Sequence, residues 1–432
     1  MNKVLILPLV AALAAPAYAV TFQRWQTADG ATVTYVERRE LPIVHMEIVF
    51  KGAGQTGESA KGVAAFTADM LSTGTQQYSE EELYDRSNRL GITVGSSAGT
   101  ENASVSFASL SRRDILSDGL KLANQIIAHP KFDEKILERE KTQAVTALRQ
   151  SLSNPSFLAS RALTVLNYGN HAYADTARLN EADIAAITPD DLKAHHRSTY
   201  AKNNAYVAIV GDVSRKEADE MTAAVLDGLP AKADIRPVAD IPQTDGQQQD
   251  IPFSDKEQAV VVMGLPLLVH QDPDRYALTV GNYILGGGGF DSRLMKTLRD
   301  EKGLVYGVSS SLSPLEKKGP FAVSFSTKKG SAAEALAAAR SVLENFIAQG
   351  PTEAELKQAK DNIVGSFPMS FDTNAKTVGL AAAVGVRGLP LDYYDNYTRN
   401  IEAVTAEQIK EVWQRRLDPK KMNVVTVGKE TR

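Results

Sequence analysis

The feature that most restricts how this chain can fold is that part of it is written twice. Residues 187–211 align without a gap to residues 404–428, an offset of 217 positions (187 to 404), and Leu192 falls on Ile409. Earlier in each copy, Gly91, Ile92 and Gly95 fall on Gly303, Leu304 and Gly307, an offset of 212 (91 to 303). Two offsets this close, with strands and helices in the same order between them, describe a duplicated α+β unit of about 200 residues. The chain is also too long for one ordinary core. The fold expected is two homologous units, each an antiparallel sheet with helices packed on one face.

Period-two alternation predicts strands over 22–25, 31–37, 43–50, 92–97, 103–110 and 205–211, with Ala28-Asp29-Gly30 turning the first hairpin. Helical spacing covers 61–72, 79–90, 113–128 and 133–151, and Ser79 with Glu82 has the spacing of a capping box. The chain then stays helical to about residue 200. Residues 230–252 loosen into Pro237, Pro242, Gly246 and three consecutive glutamines, and read as a linker. The expected organisation is an export signal over 1–19, a first unit over 20–229, the linker over 230–252 and a second unit over 253–432.

Lys3, the apolar run 4–14 and Ala17-Tyr18-Ala19 have the form of a cleaved secretory signal, which puts the mature start at Val20 and, in a Gram-negative cell, the protein in the periplasm. No later run is long and apolar enough to span a bilayer, so no stable membrane insertion is expected. The chain has no cysteine, which excludes disulfides, thiolate metal sites, a cysteine nucleophile and lipid attachment through an N-terminal cysteine. A formal charge of −4, from interspersed residues of both signs, offers no basic face to nucleic acid.

Residues 286–310, GGGGFDSRLMKTLRDEKGLVYGVSS, concentrate the chemistry. Gly286, Gly287, Gly288 and Gly289 give a backbone free to adopt positive φ or to lie close against another chain. Asp291 or Ser292 is placed to cap a helix over 293–301, Gly303 suits a left-handed helix end, and Leu304, Tyr306 and Val308 then alternate as a strand. This turn brings Arg299 near Tyr306, and a guanidinium and a phenol so held can grip a peptide carbonyl or carboxylate. The bland alternative has Arg299 paired with Asp300 or Glu301 and Tyr306 packed on the sheet. A phosphate cradle would need Gly-Lys-Ser/Thr after the glycines, which is missing here.

On these motifs the chain resembles the pitrilysin or insulinase family of zinc peptidases, especially the bacterial two-chain members related to mitochondrial processing peptidase. Family members carry His-x-x-Glu-His on a short helix, inside G-L-A-H-F-L-E-H-M-L-x-x-G-T, with a glutamate on a later helix as third zinc ligand. Two histidines at i and i+4 share one helical face, with the glutamate beside them as general base. Here the phrase is GVAAFTADMLSTGT, residues 62–75. Ala65 stands at the first histidine, Ala68 at the base and Asp69 at the second histidine, while the third ligand falls on Thr146. The resemblance thus implies a degenerate zinc site and no metal in this chain. His195 and His196 are adjacent and cannot share a helical face, and His45, His129, His171 and His270 read as structural or exposed.

The second half departs less from its model. Family members bind substrate backbone, and the tetrahedral intermediate, through an arginine and a tyrosine seven residues on, the spacing of Arg299 and Tyr306. The resemblance implies a non-catalytic, substrate-binding subunit: two clam-shell halves, one per chain, enclose a chamber. A zinc-binding insulinase-like partner supplies the metal site, this chain supplies Arg299 and Tyr306, and the four glycines line the cavity for a peptide or unfolded protein. The alternative is a structural or peptide-binding scaffold, like the inactive core subunits this family contributes to a respiratory complex.

Overall fold

The structure, a computed structural model, describes residues 20–253 and 257–428; the signal expected over 1–19 lies outside the described residues. In the first half β1 (Gln23–Gln26) and β2 (Thr32–Glu37) form a hairpin that turns through Gly30 at φ +91°. Then come β3 (Ile43–Lys51), α1 (Val63–Asp69), α2 (Glu80–Leu90), β4 (Thr93–Ala98) and β5 (Asn102–Leu110). Ser79 closes its capping box with Glu82, as its spacing predicts. The longer helices that follow are α3 (Arg113–Ala128), α4 (Glu134–Leu152), α5 (Pro155–Tyr168) and α6 (Pro189–Thr199), before β6 (Ala205–Gly211) and α7 (Arg215–Leu226). The strand order is β1-β2-β6-β3-β5-β4.

The second half repeats this plan with β7 (Gln248–Ile251), β8 (Gln258–Leu268), α8 (Arg275–Asn282), β9 (Val305–Leu312), β10 (Gly319–Lys328), α9 (Ala332–Gln349), α10 (Glu353–Ser366), α11 (Asn374–Val386), α12 (Ala406–Arg416) and β11 (Asn423–Val427). Its order, β7-β11-β8-β10-β9, is that of β2-β6-β3-β5-β4. The repeat read from sequence is physical: α6 and α12 begin and end 217 positions apart, each behind a threonine capping box, at Thr188 and Thr405. Leu192 and Ile409 are both fully buried. Gly91 and Gly303 both close a helix in the left-handed region, at φ +63° and +62°.

Three expectations are amended. The end of the proposed linker is β7, which pairs in parallel with β11 as β2 pairs with β6; its residues, QQDI, lie on the sheet edge and lack the apolar alternation that marks a strand. Neither sheet is therefore wholly antiparallel. Nor are the helices confined to one face. The first face of each sheet carries its own helices over the two large cores. The second face is covered by a helix from the other half: α5 packs Ala159 and Leu163 on Val260, Val262, Val425 and Val427, and α11 packs Val378, Ala381 and Ala382 on Val36, Val49, Ala208 and Val210.

A buried polar node ties the halves together beside these exchanged helices. Glu101, in the turn between β4 and β5, accepts a hydrogen bond from the Tyr173 hydroxyl and one from the Glu316 amide at 2.6 Å, and lies 2.9 Å from His270 Nε2. Two of the three partners belong to the second half. Burial pushes the Glu101 carboxyl up, but the bonds from His270, Tyr173 and Glu316 outweigh it and hold the group below the usual 4.5. A carboxyl lowered in the folded state stabilises above its unfolded value, and that stability is lost as pH falls through the folded value. Glu101→Gln is expected to cost about 2 kcal/mol at pH 7 in denaturant unfolding, with the gap from wild type closing as the pH falls below the usual carboxylate range.

Candidate functional site

Helix α1 presses Val63, Ala64, Phe66, Thr67 and Ala68 into the protein and leaves Ala65 and Asp69, one turn apart, on its exposed face. Ala68 has no exposed surface, and its carbonyl accepts from Ser96 Oγ at 2.7 Å. Thr146 is exposed on α4, where its hydroxyl donates to the Thr142 carbonyl of its own helix at 2.9 Å. Although Asp69 opens to solvent on one side, burial of its carboxyl and then the charge of Glu140 hold it above the usual range. Among the described residues no group of three His, Cys, Asp or Glu converges as a metal-binding set.

Beside α1 lies a cavity of about 440 Å³ lined by Glu58, Ala64, Ala65, Thr100, Phe157 and Arg161, among others. Glu58 Oε2 accepts from the amides of Gly62 and Ala64 at 3.1 and 3.0 Å, bracing the start of α1. Burial pushes its carboxyl up to about 7 against those two bonds, with Asp175 adding repulsion. Glu58 precedes the recognisable motif and carries no sequence signal beyond being acidic.

In the second half, α8 widens into a π-helical turn, Tyr283–Gly287, and a 3-10 turn, Gly289–Asp291, follows. Only Gly289 of the four glycines has positive φ, +66°. The other three are held by close approach within the chain: a Cβ on Gly286 would stand 2.6 Å from Ser310 Oγ, on Gly287 2.8 Å from Asn282 Nδ2, and on Gly288 2.7 Å from Tyr283. Gly286 is buried, whereas Gly287 and Gly289 are exposed.

Ser292 takes the cap position with extended backbone, yet its hydroxyl turns back to donate to the Gly289 carbonyl at 2.7 Å. The helix expected over 293–301 is one α turn, Arg293–Met295, running into a π-helical turn, Lys296–Glu301. Arg293 anchors its start on Glu355, through Nε and Nη2 at 2.7 Å each. Burial raises the Glu355 carboxyl, but the Arg293 and Thr352 bonds prevail and bring it to about 2. After the Gly303 reversal, β9 runs along the sheet edge. Arg299 is exposed and Tyr306 is 79% exposed; neither side chain has a hydrogen bond or ion pair with any described residue. The alternative pairing of Arg299 with Asp300 or Glu301 is not formed. Its guanidinium lies instead over the ring of Phe290, 4.8 Å from the centroid, a partner that sequence reasoning missed.

Against known proteins, the family model described as insulinase (peptidase family M16) matches residues 43–177, and that described as the peptidase M16 inactive domain matches 186–363. The crystal structure of a peptidase M16 inactive domain from Pseudomonas fluorescens is 33% identical, with a TM-score of 0.91 over 95% of this chain and 98% of that one. The chain belongs to the insulinase family, peptidase M16. It is a member of the inactive type. A Helicobacter pylori relative named non-peptidase homolog YmxG is 26% identical over 95% of both chains. The periplasmic protease PqqL from Escherichia coli shares the fold at 18% identity and a TM-score of 0.80; 99% of this chain covers 48% of that one, which is about twice as long.

The zinc of active family members does not fit the donors present here. Two methyl groups, one carboxylate and a hydroxyl already bonded within its helix cannot form the nitrogen-rich site that activates water. The histidines are engaged elsewhere: His195 Nε2 and His196 Nε2 meet the carbonyls of Ala53 and Ile127 at 3.0 and 2.8 Å, and His171 Nε2 that of Ala239 at 3.0 Å. Among helices of the described residues, none is long and apolar enough to cross a membrane. The raised Glu58 carboxyl makes a prediction of opposite sign to that for Glu101. A group whose folded value exceeds its unfolded one favours folding while protonated, and that contribution is lost as pH rises from 4.5 through about 7. Relative to Glu58→Gln, wild type should lose up to about 3 kcal/mol of unfolding free energy across that window, most of it between about pH 5 and 7.

Proposed function

We propose that this protein is the non-catalytic, substrate-binding subunit of an exported heteromeric zinc metallopeptidase. A zinc-binding insulinase-like partner brings the metal, its ligands and the general base. This chain brings Arg299 and Tyr306. The observation that carries the reading is the contrast between the halves: of the four motif positions on α1 and α4 only the Asp69 carboxylate could still ligate a metal, while Arg299 and Tyr306 stand exposed with their hydrogen-bonding atoms uncommitted. Donors of this kind gain most when aimed at negative charge that develops during reaction in a water-poor space, and such a space arises when a second half closes over this one. The double length of PqqL supports a working unit made of two such halves.

Substrate is a peptide or unfolded protein. It lies extended along a free sheet edge, where main-chain bonds give affinity with little demand on sequence; β9, which carries Tyr306, is such an edge, as is β4. Gly287 and Gly289, exposed at the turn before Phe290, leave room for a backbone to approach. Export rests on the signal over 1–19, and the periplasm follows from it. A scaffold that holds peptides or a partner without cleavage is the second reading, favoured by Ala65 and Ala68 of α1, whose methyl groups cannot ligate a metal or act as a base.

Co-expression with a relative bearing His-x-x-Glu-His separates the two. The complex should hydrolyse unfolded protein, neither chain should do so alone, and stoichiometric zinc should travel with the partner. Arg299→Ala or Tyr306→Phe should leave assembly intact and lower turnover by about two orders of magnitude. Unchanged turnover in both variants favours the scaffold.

A further inference from the structure

The ring under Arg299 has a use that the fold alone does not explain. Phe290 is 68% exposed, and a large apolar side chain gains nothing for folding by standing in water. Its position is nevertheless built. Gly289 supplies the positive φ that turns the chain, and the Gly289 carbonyl accepts from both the Ser292 amide, at 3.1 Å, and the Ser292 hydroxyl, at 2.7 Å. The result is a ring set beneath a guanidinium nine residues further on.

What the ring does differs from what a carboxylate would do. An acid at this place would take up two of the five N–H donors and cancel the charge. An aromatic face attracts the cation through the flat of the guanidinium and leaves the in-plane donors free. Arginine carries substantial rotamer freedom, so an uncommitted side chain samples many directions unless something restrains it. Asp291, Asp300 and Glu301 are all close in sequence, yet none forms an ion pair with Arg299 among the described residues.

We infer that Phe290 is a positioning residue, which holds the Arg299 guanidinium by its face and so presents its N–H edge, charged and unpaired, to a carbonyl or carboxylate oxygen of the bound peptide. The inference rests on the proposed role of Arg299 in substrate binding. A restraint of this size, between two exposed side chains, corresponds to about a twofold to fivefold effect on what Arg299 does.

The single chain provides the first measurement. The Arg299 Nε–Hε NMR signal should be shifted by the ring current of Phe290, should lose that shift in Phe290→Leu, and should keep it in Phe290→Tyr. An Arg299 signal that is the same in wild type and Phe290→Leu overturns the inference, whatever the complex does. In the co-expressed complex, Phe290→Leu should lower kcat/KM about twofold to fivefold and Phe290→Tyr should restore it; equal activity of the Leu and Tyr variants also overturns it. Failure of the substrate-binding role of Arg299 is read separately, from unchanged turnover in Arg299→Ala.

Discussion

Everything in this molecule depends on the exchange of α5 and α11 between its two halves. Each sheet is apolar on both faces, and the second face of each is sealed by a helix that belongs to the other unit. Fully burying a valine contributes roughly 1.5–3 kcal/mol. Uncovering Val260, Val262, Val425 and Val427 would therefore cost about as much as the whole net stability of an ordinary domain, roughly 5–15 kcal/mol. The small side chains of α11, with Gly385 packed close to Thr34, let that helix settle directly on the strands. The Glu101 node adds direction to this greasy contact, since hydrogen bonds fix register where valine packing alone would tolerate sliding.

Much of the fold was legible from the repeat. Residues 187–211 and 404–428 share capping chemistry, a buried aliphatic position and a strand that runs to a glycine, Gly211 or Gly428, and each of these is a local property. What stayed hidden was non-local or weakly patterned. The short polar strand β7 is recognised only by its pairing with β11. The exchange of helices is invisible because α5 and α11 look like ordinary amphipathic or apolar helices, and nothing in a helix names the sheet it covers. His270 and Glu101 lie 169 positions apart, so a histidine that reads only as structural or exposed is one end of an inter-half bond.

The same limit governed the candidate site. By comparison with the family motif, Ala65, Ala68, Asp69 and Thr146 read as a degenerate zinc site, because a methyl group or a hydroxyl offers different chemistry from an imidazole or a carboxylate whatever its surroundings. The glycines were harder. Their identity signals freedom, but Gly286, Gly287 and Gly288 are there because Ser310, Asn282 and Tyr283 press against them, and only Gly289 uses the left-handed region. The π-helical turn from Lys296 to Glu301 also has no sequence signature, although it sets where Arg299 emerges before the chain reverses at Gly303.

The order of the chain gives the exchanged helices a further meaning. The last strand of the first sheet ends at Gly211, whereas the helix that covers its second face begins only at Asn374. During synthesis one side of a nearly finished sheet must wait, bare, for most of the second half to be made. A polypeptide of this design cannot finish its first unit from the N-terminus alone, because Val36, Val49 and Val210 stay uncovered until residues 374–386 are available.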